Sequence, residues 1–236
     1  MKKLLLLIFI VSTLIGCTQK NTTDQNQLNI HKNGFTIHGE LINLNANTVY
    51  LNKIIDNYVY PIDSSTITNN VFKISGLVEY PERFALTFNN YSKIIILIVE
   101  NTEISIIIDG TSINDPIIQG SPLNTALNDY KEASKSIFKK MDYLYPAFQK
   151  ARLENDADKL HEIGNQLNNI EHEFTDFSYN FIKNNTHSYI AAMILNDHLK
   201  SSSADTLKIK KLYDSLSEEV KKCPDAQLIA HALNLH

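Results

Sequence analysis

At Ser121 the spacing of apolar residues changes from every second position to every third or fourth, and this switch constrains the fold of the 236-residue chain more than any other feature. Before it, Phe35-Thr36-Ile37-His38 and Val49-Tyr50-Leu51 alternate apolar with polar, the period of a strand with one covered face. Arg83 to Phe88 alternates again, whereas Ile94 to Val99 and Ile104 to Ile108 are near-continuous β-branched runs. Those two runs predict central strands covered on both faces, because an exposed edge of that composition would aggregate. Asn69-Asn70 lies between a run ending at Ile67 and Val71-Phe72-Lys73-Ile74. Both asparagines tolerate positive φ, so a tight hairpin is expected there. Roughly seven to nine strands over residues 28–120 point to a β-sandwich or compact barrel.

After the switch the pattern is helical. Ser121-Pro122 reads as an N-cap followed by proline at the first helical position, where a missing N–H costs nothing. Leu123, Leu127, Tyr130, Ser134, Ile137, Met141, Leu144 and Phe148 then form one stripe, predicting a long helix bent at Pro146. Beyond an Asn155-Asp156 break, Leu160, Ile163, Leu167, Ile170, Phe174, Phe177 and Phe181 repeat the spacing. The two helices should pair antiparallel, seam to seam. Three shorter helices are expected at 188–199, 205–222 and 224–235, with Ser201 to Ser203 as a loop. The fold class is therefore α+β: an all-β sandwich-like domain over 28–120, then a helical region over 121–236 built on a long hairpin.

The N-terminus carries an address rather than a fold. Lys2-Lys3 precede an apolar stretch from Leu4 to Ile15, which ends in Leu14-Ile15-Gly16-Cys17. About a dozen residues suit a signal core and fall short of the roughly 20 needed to span a bilayer. A small residue directly before cysteine is the pattern of a bacterial lipoprotein signal, with cleavage after residue 16 and lipid on the Cys17 sulfur. Acyl chains contributing about 0.8 kcal/mol per buried methylene would make the anchor essentially permanent. Residues 18–27 contain no apolar side chain and read as a disordered tether in a linker over 17–27. No acidic cluster follows Cys17, so the expected location is the cell envelope, lipid-anchored at the outer membrane and facing the periplasm.

Leaving out residues 1–16 removes two lysines and no acid, so 20 basic residues against 26 acidic ones give a net charge of −6. That balance argues against a nucleic-acid partner, which demands concentrated Lys and Arg. With Cys17 consumed by lipid, Cys223 remains alone, and no Cys-x-x-Cys occurs. No internal disulfide can form, so the core must hold the fold by itself.

The segments Phe35-x-Ile37-x-Gly39, Val49-Tyr50-Leu51, Ile62-Asp63-Ser64 and Phe72-x-Ile74-x-Gly76 together resemble the uncharacterised β domain found ahead of TlpA-like thioredoxin modules in envelope thiol–disulfide oxidoreductases. Ser188-Tyr189-Ile190-Ala191 and the stretch from Leu212 to Lys222 resemble the helical region that follows it there. In that family the redox chemistry belongs to a thioredoxin-like domain after the helices, and this sequence ends at His236, where it would begin. No catalytic residue carries over. The resemblance implies an anchored accessory portion, with a thioredoxin-like oxidoreductase as a candidate envelope partner.

Individual residues add little chemistry. Cys223 precedes Pro224-Asp225-Ala226, which makes it the expected N-cap of the last helix, where the dipole and Lys221-Lys222 favour thiolate. It reads either as a free thiol for a mixed disulfide or as a half-buried capping cysteine. His161 and His172 share a helix face with Asp158 and Glu171, but eleven residues at 1.5 Å each place them roughly 16 Å apart, too far for one metal ion. His231 and His236 lack an acidic cluster. Asp63-Ser64-Ser65 reads as a turn between strands, and Gly110 and Gly120 are too isolated to cradle phosphate. Tyr50, Tyr58, Tyr60, Tyr80 and Tyr91 could line a ligand groove on the sheet. The expectation is a non-catalytic binding or scaffold lipoprotein without cofactor or metal; the alternatives are an accessory of thiol–disulfide exchange and a small-ligand binder.

Overall fold

The computed structural model describes residues 34–55 and 58–235, so Cys17, the apolar stretch before it, the linker and His236 lie outside the described residues. Strands β1 (Phe35–Ile42), β4 (Val71–Gly76), β7 (Glu103–Asp109) and β8 (Ile117–Gln119) form one sheet in the order β4-β1-β7-β8. Strands β2 (Thr48–Ile55), β3 (Tyr58–Thr66), β5 (Glu82–Phe88) and β6 (Ile95–Val99) form a second in the order β3-β2-β5-β6. All neighbours are antiparallel except β1 and β7, which are parallel. Alternate residues of both sheets meet in one core, with Ile37, Ile104 and Ile106 from the first against Val49, Leu86 and Leu97 from the second. This is the two-layer sandwich that the alternation requires.

The aromatic–glycine motif has a steric origin. β1 pairs β4 so that Phe35 faces Gly76, Ile37 faces Ile74 and Gly39 faces Phe72. A Cβ on Gly39 would come within 2.0 Å of the Phe72 ring, and one on Gly76 within 2.8 Å of the Phe35 ring. Each ring thus lies over the glycine of the opposite strand, filling the gap a missing side chain would leave. The sequence Phe-x-Ile-x-Gly occurs twice because an antiparallel pair needs it on both strands. Gly39→Ala is expected to cost about 2 kcal/mol by overpacking a buried ring, readable as a lowered urea midpoint; an unchanged midpoint would show that Phe72 can move aside freely.

Two sequence-level expectations need correction. The β-branched run at Ile94 to Val99 does not form a central strand: β6 is the edge of its sheet, with Ile96 52% exposed and Ile98 fully buried. Its free edge is covered by a helix rather than by another strand. β7 is central, yet Glu103 and Ser105 face outward and only the alternate isoleucines are covered. Asn69 and Asn70 do take positive φ, 53° and 63°, and close a turn with reciprocal Thr68–Val71 bonds of 3.0 and 3.1 Å. The expected hairpin stops there, because β3 and β4 leave the turn into different sheets.

The helical region follows the predicted order. α1 (Pro122–Glu154) starts at Ser121, whose side chain accepts from the Asn124 amide, and continues through Pro146. Asn155 at φ 52° ends it, and Asp156 caps α2 (Ala157–Asn184) by accepting from the Lys159 amide. α3 (Tyr189–Leu199) is buried over its first eight residues and fills the centre of the bundle. α4 (Thr206–Ser215) is shorter than the predicted 205–222; a separate 3₁₀ turn occupies Val220–Lys222. α5 (Pro224–Ala232) closes the structure. Apolar residues at 220, 223, 226 and 229 share one cluster with α3, and burying Val220 and Cys223 there breaks the helix that periodicity alone would have continued.

Candidate functional site

Buried polar side chains are costly unless hydrogen-bonded, so their location shows where this sequence has spent specificity. Two polar groups, the first buried and the second mostly half-buried around the buried Asn196, lie where the helices meet the outer face and edge of the second sheet. The first is built on the β6 edge. The Asn124 carboxamide accepts from the Ile98 N–H at 2.9 Å and donates to the Ile98 carbonyl at 2.6 Å, taking the place of a neighbouring strand's peptide group. Its nitrogen also donates to Ser121 Oγ at 2.7 Å, and Ser121 donates in turn to Glu100 Oε1 at 2.6 Å. The same carboxylate oxygen accepts from the Leu123 amide at 3.0 Å, where the positive end of the α1 dipole favours an anion. Glu100, Ser121 and Asn124 are all buried.

The second group centres on Arg83, which projects from the outer face of β5. Its guanidinium grips Asp197 of α3 with two bonds, 2.8 and 2.9 Å. It also donates to the Met193 carbonyl and to Asp225 Oδ1, each at 3.2 Å. Asn196, buried, donates to the same Asp225 oxygen at 2.7 Å. One strand residue thereby ties together the C-terminal half of α3 and the first turn of α5. The planar fork suits this geometry in a way a lysine ammonium would not. The two acidic partners raise the Arg83 pKa against the opposing pull of burial.

The residues singled out from sequence are dispersed. Cys223 is a free cysteine but fully buried, in contrast to the half-buried cap expected. Burial pushes its thiol up to about 11, overcoming the nearby Asp225 and Ala226 amides, which pull the other way without closing a capping bond. The dipole therefore does not make it a thiolate. His161, His172, Asp158 and Glu171 are exposed along α2, and His231 is exposed on α5. Among the described residues, no three His, Cys, Asp or Glu side chains come together as a metal site. Asp63 to Ser65 lie inside β3 rather than in a turn, with Asp63 accepting from the Ser64 amide. A Cβ at Gly110 or Gly120 would meet a backbone carbonyl at 2.2 Å, so both serve close chain approach.

The five tyrosines form no common groove. Tyr80 packs on Tyr189 inside the helical cluster, and Tyr91 lies against the sandwich core, its hydroxyl accepting from the Asn45 amide. Tyr58 and Tyr60 are exposed on β3. Tyr50 points to the opposite face of that sheet from Leu51 and Lys53, with which Tyr60 is paired. An open depression of about 540 Å³ does exist, but none of these tyrosines lines it: it lies along β1 and β4 beside Ser65 and Thr66 of β3, with polar groups such as His38, Glu40 and Lys73.

Residues 35–127 match the family described as Domain of unknown function (DUF4369). No curated protein matches the chain. The matched segment holds both aromatic–glycine pairs and extends past Gly120 through Asn124, so the first turn of α1 falls inside it. That agrees with the geometry, because the turn completes the edge of β6. Among the described residues, no helix is long and apolar enough to cross a membrane.

Neither Arg83 nor Asn124 was found from sequence. One signal was available: Arg83 is one of only two arginines against twenty lysines, and it stands in an alternating strand. Asn124 gave none, since an amide at the third helical position looks like ordinary capping chemistry.

Proposed function

We propose that this is a lipid-anchored envelope protein whose sandwich and helices act as a rigid, non-catalytic binding or scaffold module. The observation that carries this reading is how its buried and half-buried polar groups are used: buried Glu100, Ser121 and Asn124, and likewise half-buried Arg83 and Asp225 with buried Asn196, join two layers of structure. A reaction centre keeps such groups aimed at a substrate. These are aimed at the protein's own backbone and at one another.

The anchor rests on the Leu14-Ile15-Gly16-Cys17 signal. Growth with labelled palmitate should mark the protein and leave it in the membrane fraction, and Cys17→Ser should abolish both. Recovery of the parent as an unmodified, freely secreted polypeptide would overturn the anchoring.

The family resemblance extends the proposal to work beside a TlpA-like thioredoxin-fold oxidoreductase, as a non-covalent accessory rather than a thiol donor. Burial of Cys223 is what favours the non-covalent form. In the native protein Cys223 should react with an aromatic disulfide reagent at least about a hundredfold more slowly than after unfolding in urea, since both burial and a raised pKa suppress attack. Prompt native-state labelling, or a Cys223-dependent mixed disulfide trapped in the envelope, would contradict it.

A further inference from the structure

The chain enters the sandwich at an end that also carries exposed aromatic and aliphatic side chains. β6 ends at Val99 and β7 begins at Glu103, so those two strand ends lie together. Thr36 is level with Glu103 in the first sheet, and Glu82 with Val99 in the second; β1 and β5 therefore start here too. β2 runs antiparallel to β5, and β3 antiparallel to β2, which brings the end of β2 and the start of β3 to the same place. β4, antiparallel to β1, finishes here at Gly76. The Asn69-Asn70 turn joins β3 to β4, an outermost strand of each sheet, so both run along one flank of the sandwich. At their shared corner Leu77 is 72% and Tyr58 69% exposed, and Tyr60 and Ile55 are exposed beside them.

The register fixes which side chains share a face. Ile55 is opposed by Tyr58 and Lys53 by Tyr60, so all four lie on one face of the paired strands. Lys53, the one charge in that set, is paired with Glu82 at 3.1 Å. Leu77 lies against the point of entry: a Cβ built on Gly34 would come within 3.8 Å of the Leu77 Cα. Tyrosine suits the boundary between lipid headgroups and acyl chains, because its ring is buried while its hydroxyl stays wet. Glu79 and Glu103, exposed at this end, limit any such contact to headgroup depth. At the far end of the sandwich Ile42, Val71 and Ile94 are also exposed, but no exposed tyrosine or phenylalanine accompanies them and the chain does not enter there.

We infer that this corner is a second membrane contact: Ile55, Tyr58, Tyr60 and Leu77 rest in the headgroup layer of the bilayer that holds the acylated Cys17. The inference rests on the anchoring proposed above and adds an orientation to it, with the Ile42 and Ile94 end pointing away from the lipid. The point of entry is what selects a bilayer over a protein partner. Cys17 is 17 residues from Gly34, a reach of at most about 60 Å, and that link joins the fold beside Leu77. So confined, the corner meets lipid at an effective concentration at which a contact too weak to hold a free protein is still populated. Beyond residue 16 there are 20 basic residues against 26 acidic ones. The attraction is therefore apolar and does not weaken in salt.

The chain has no tryptophan, so a single introduced indole reports its own surroundings. The test places the acylated full-length protein in phosphatidylcholine vesicles, with and without bromine on the acyl chains, as Tyr58→Trp or, at the far end, Ile94→Trp. Flotation with the vesicles reads the anchor separately. Bromine should quench Tyr58→Trp at least about threefold more than Ile94→Trp, as for a ring about 5–10 Å into the interface, and equally at low and high salt. Adding Leu77→Glu to Tyr58→Trp should remove the quenching without changing flotation, and the exchange is at an exposed position outside the sandwich core. Floated protein in which Tyr58→Trp is unquenched, or in which both indoles are quenched alike, overturns the inference and leaves the anchor standing. Protein that carries no lipid and does not float overturns both.

Discussion

Asn124→Leu should cost about 2–6 kcal/mol of unfolding free energy, although it keeps the side chain's volume and changes neither charge nor helix register. The reason lies on the neighbouring strand. Ile98 is fully buried at the edge of its sheet, and both its peptide groups that point away from β5 are bonded to the Asn124 carboxamide. Leucine would leave a donor and an acceptor buried without partners, each costing roughly 1–3 kcal/mol. Ser121 loses a donor as well, which frees it and Glu100 to rearrange. Asn124→Asp separates the two halves of this argument. It retains an acceptor for the Ile98 N–H but sets a second carboxylate oxygen against the Ile98 carbonyl, beside Glu100. Such a carboxyl has its folded-state pKa raised, because only the protonated form can donate. Its sign is therefore opposite to that of a paired carboxylate: the variant should be least stable at neutral pH and recover as pH falls toward and below its raised pKa. Urea titrations of both variants at pH 5 and pH 8 measure this. Equal stability of Asn124→Leu and the parent would mean that the carboxamide does not seal the edge.

The same residue explains where sequence reading stops. Period-2 and period-3.6 patterns reveal which residues face a core, because burial of apolar area is a local property of each element. That is why the sandwich strands, the Ser121 cap, the Asn155-Asp156 break and the hairpin seam were all legible. What the patterns omit is the identity of the neighbour. The run from Ile94 to Val99 is apolar on both faces, a pattern that predicts a central strand covered on both faces. The structure satisfies the same demand with α1 on one side, since what matters is that each peptide group and each isoleucine is covered, whatever covers it. α4 fails in a related way: periodicity continued it to Lys222, while tertiary burial of Val220 and Cys223 ends it early. The polar junctions were hidden for a different reason. Between elements they join residues 21 to 142 positions apart in the chain, and no local spacing records a partner at that distance.

Arg83→Met should loosen the helices from the sandwich at a cost of about 2–3 kcal/mol. Methionine keeps most of the apolar stem and removes only the guanidinium, so the loss falls on the ion pairs and the Met193 carbonyl. The two acidic partners are not equally harmed. Asp197, with its side chain 51% exposed, regains water, and its share is screened and small. Asp225 is only 13% exposed and would keep Asn196 as its remaining side-chain donor. An under-compensated carboxylate in that position accounts for most of the cost, below the 3–5 kcal/mol range of fully buried pairs. Two consequences distinguish this from general destabilisation. Asp225→Asn in the Arg83→Met background should restore stability, because a neutral amide needs no cation, whereas Asp197→Asn should restore little. Hydrogen exchange should also quicken first in α3 and α5, while the amides of β1 and β7 stay protected, because Arg83 joins elements whose own cores are separate clusters. Uniform loss of protection across both clusters, or rescue by Asp197→Asn alone, would show that the junction is held by something other than the charge on Arg83 facing Asp225.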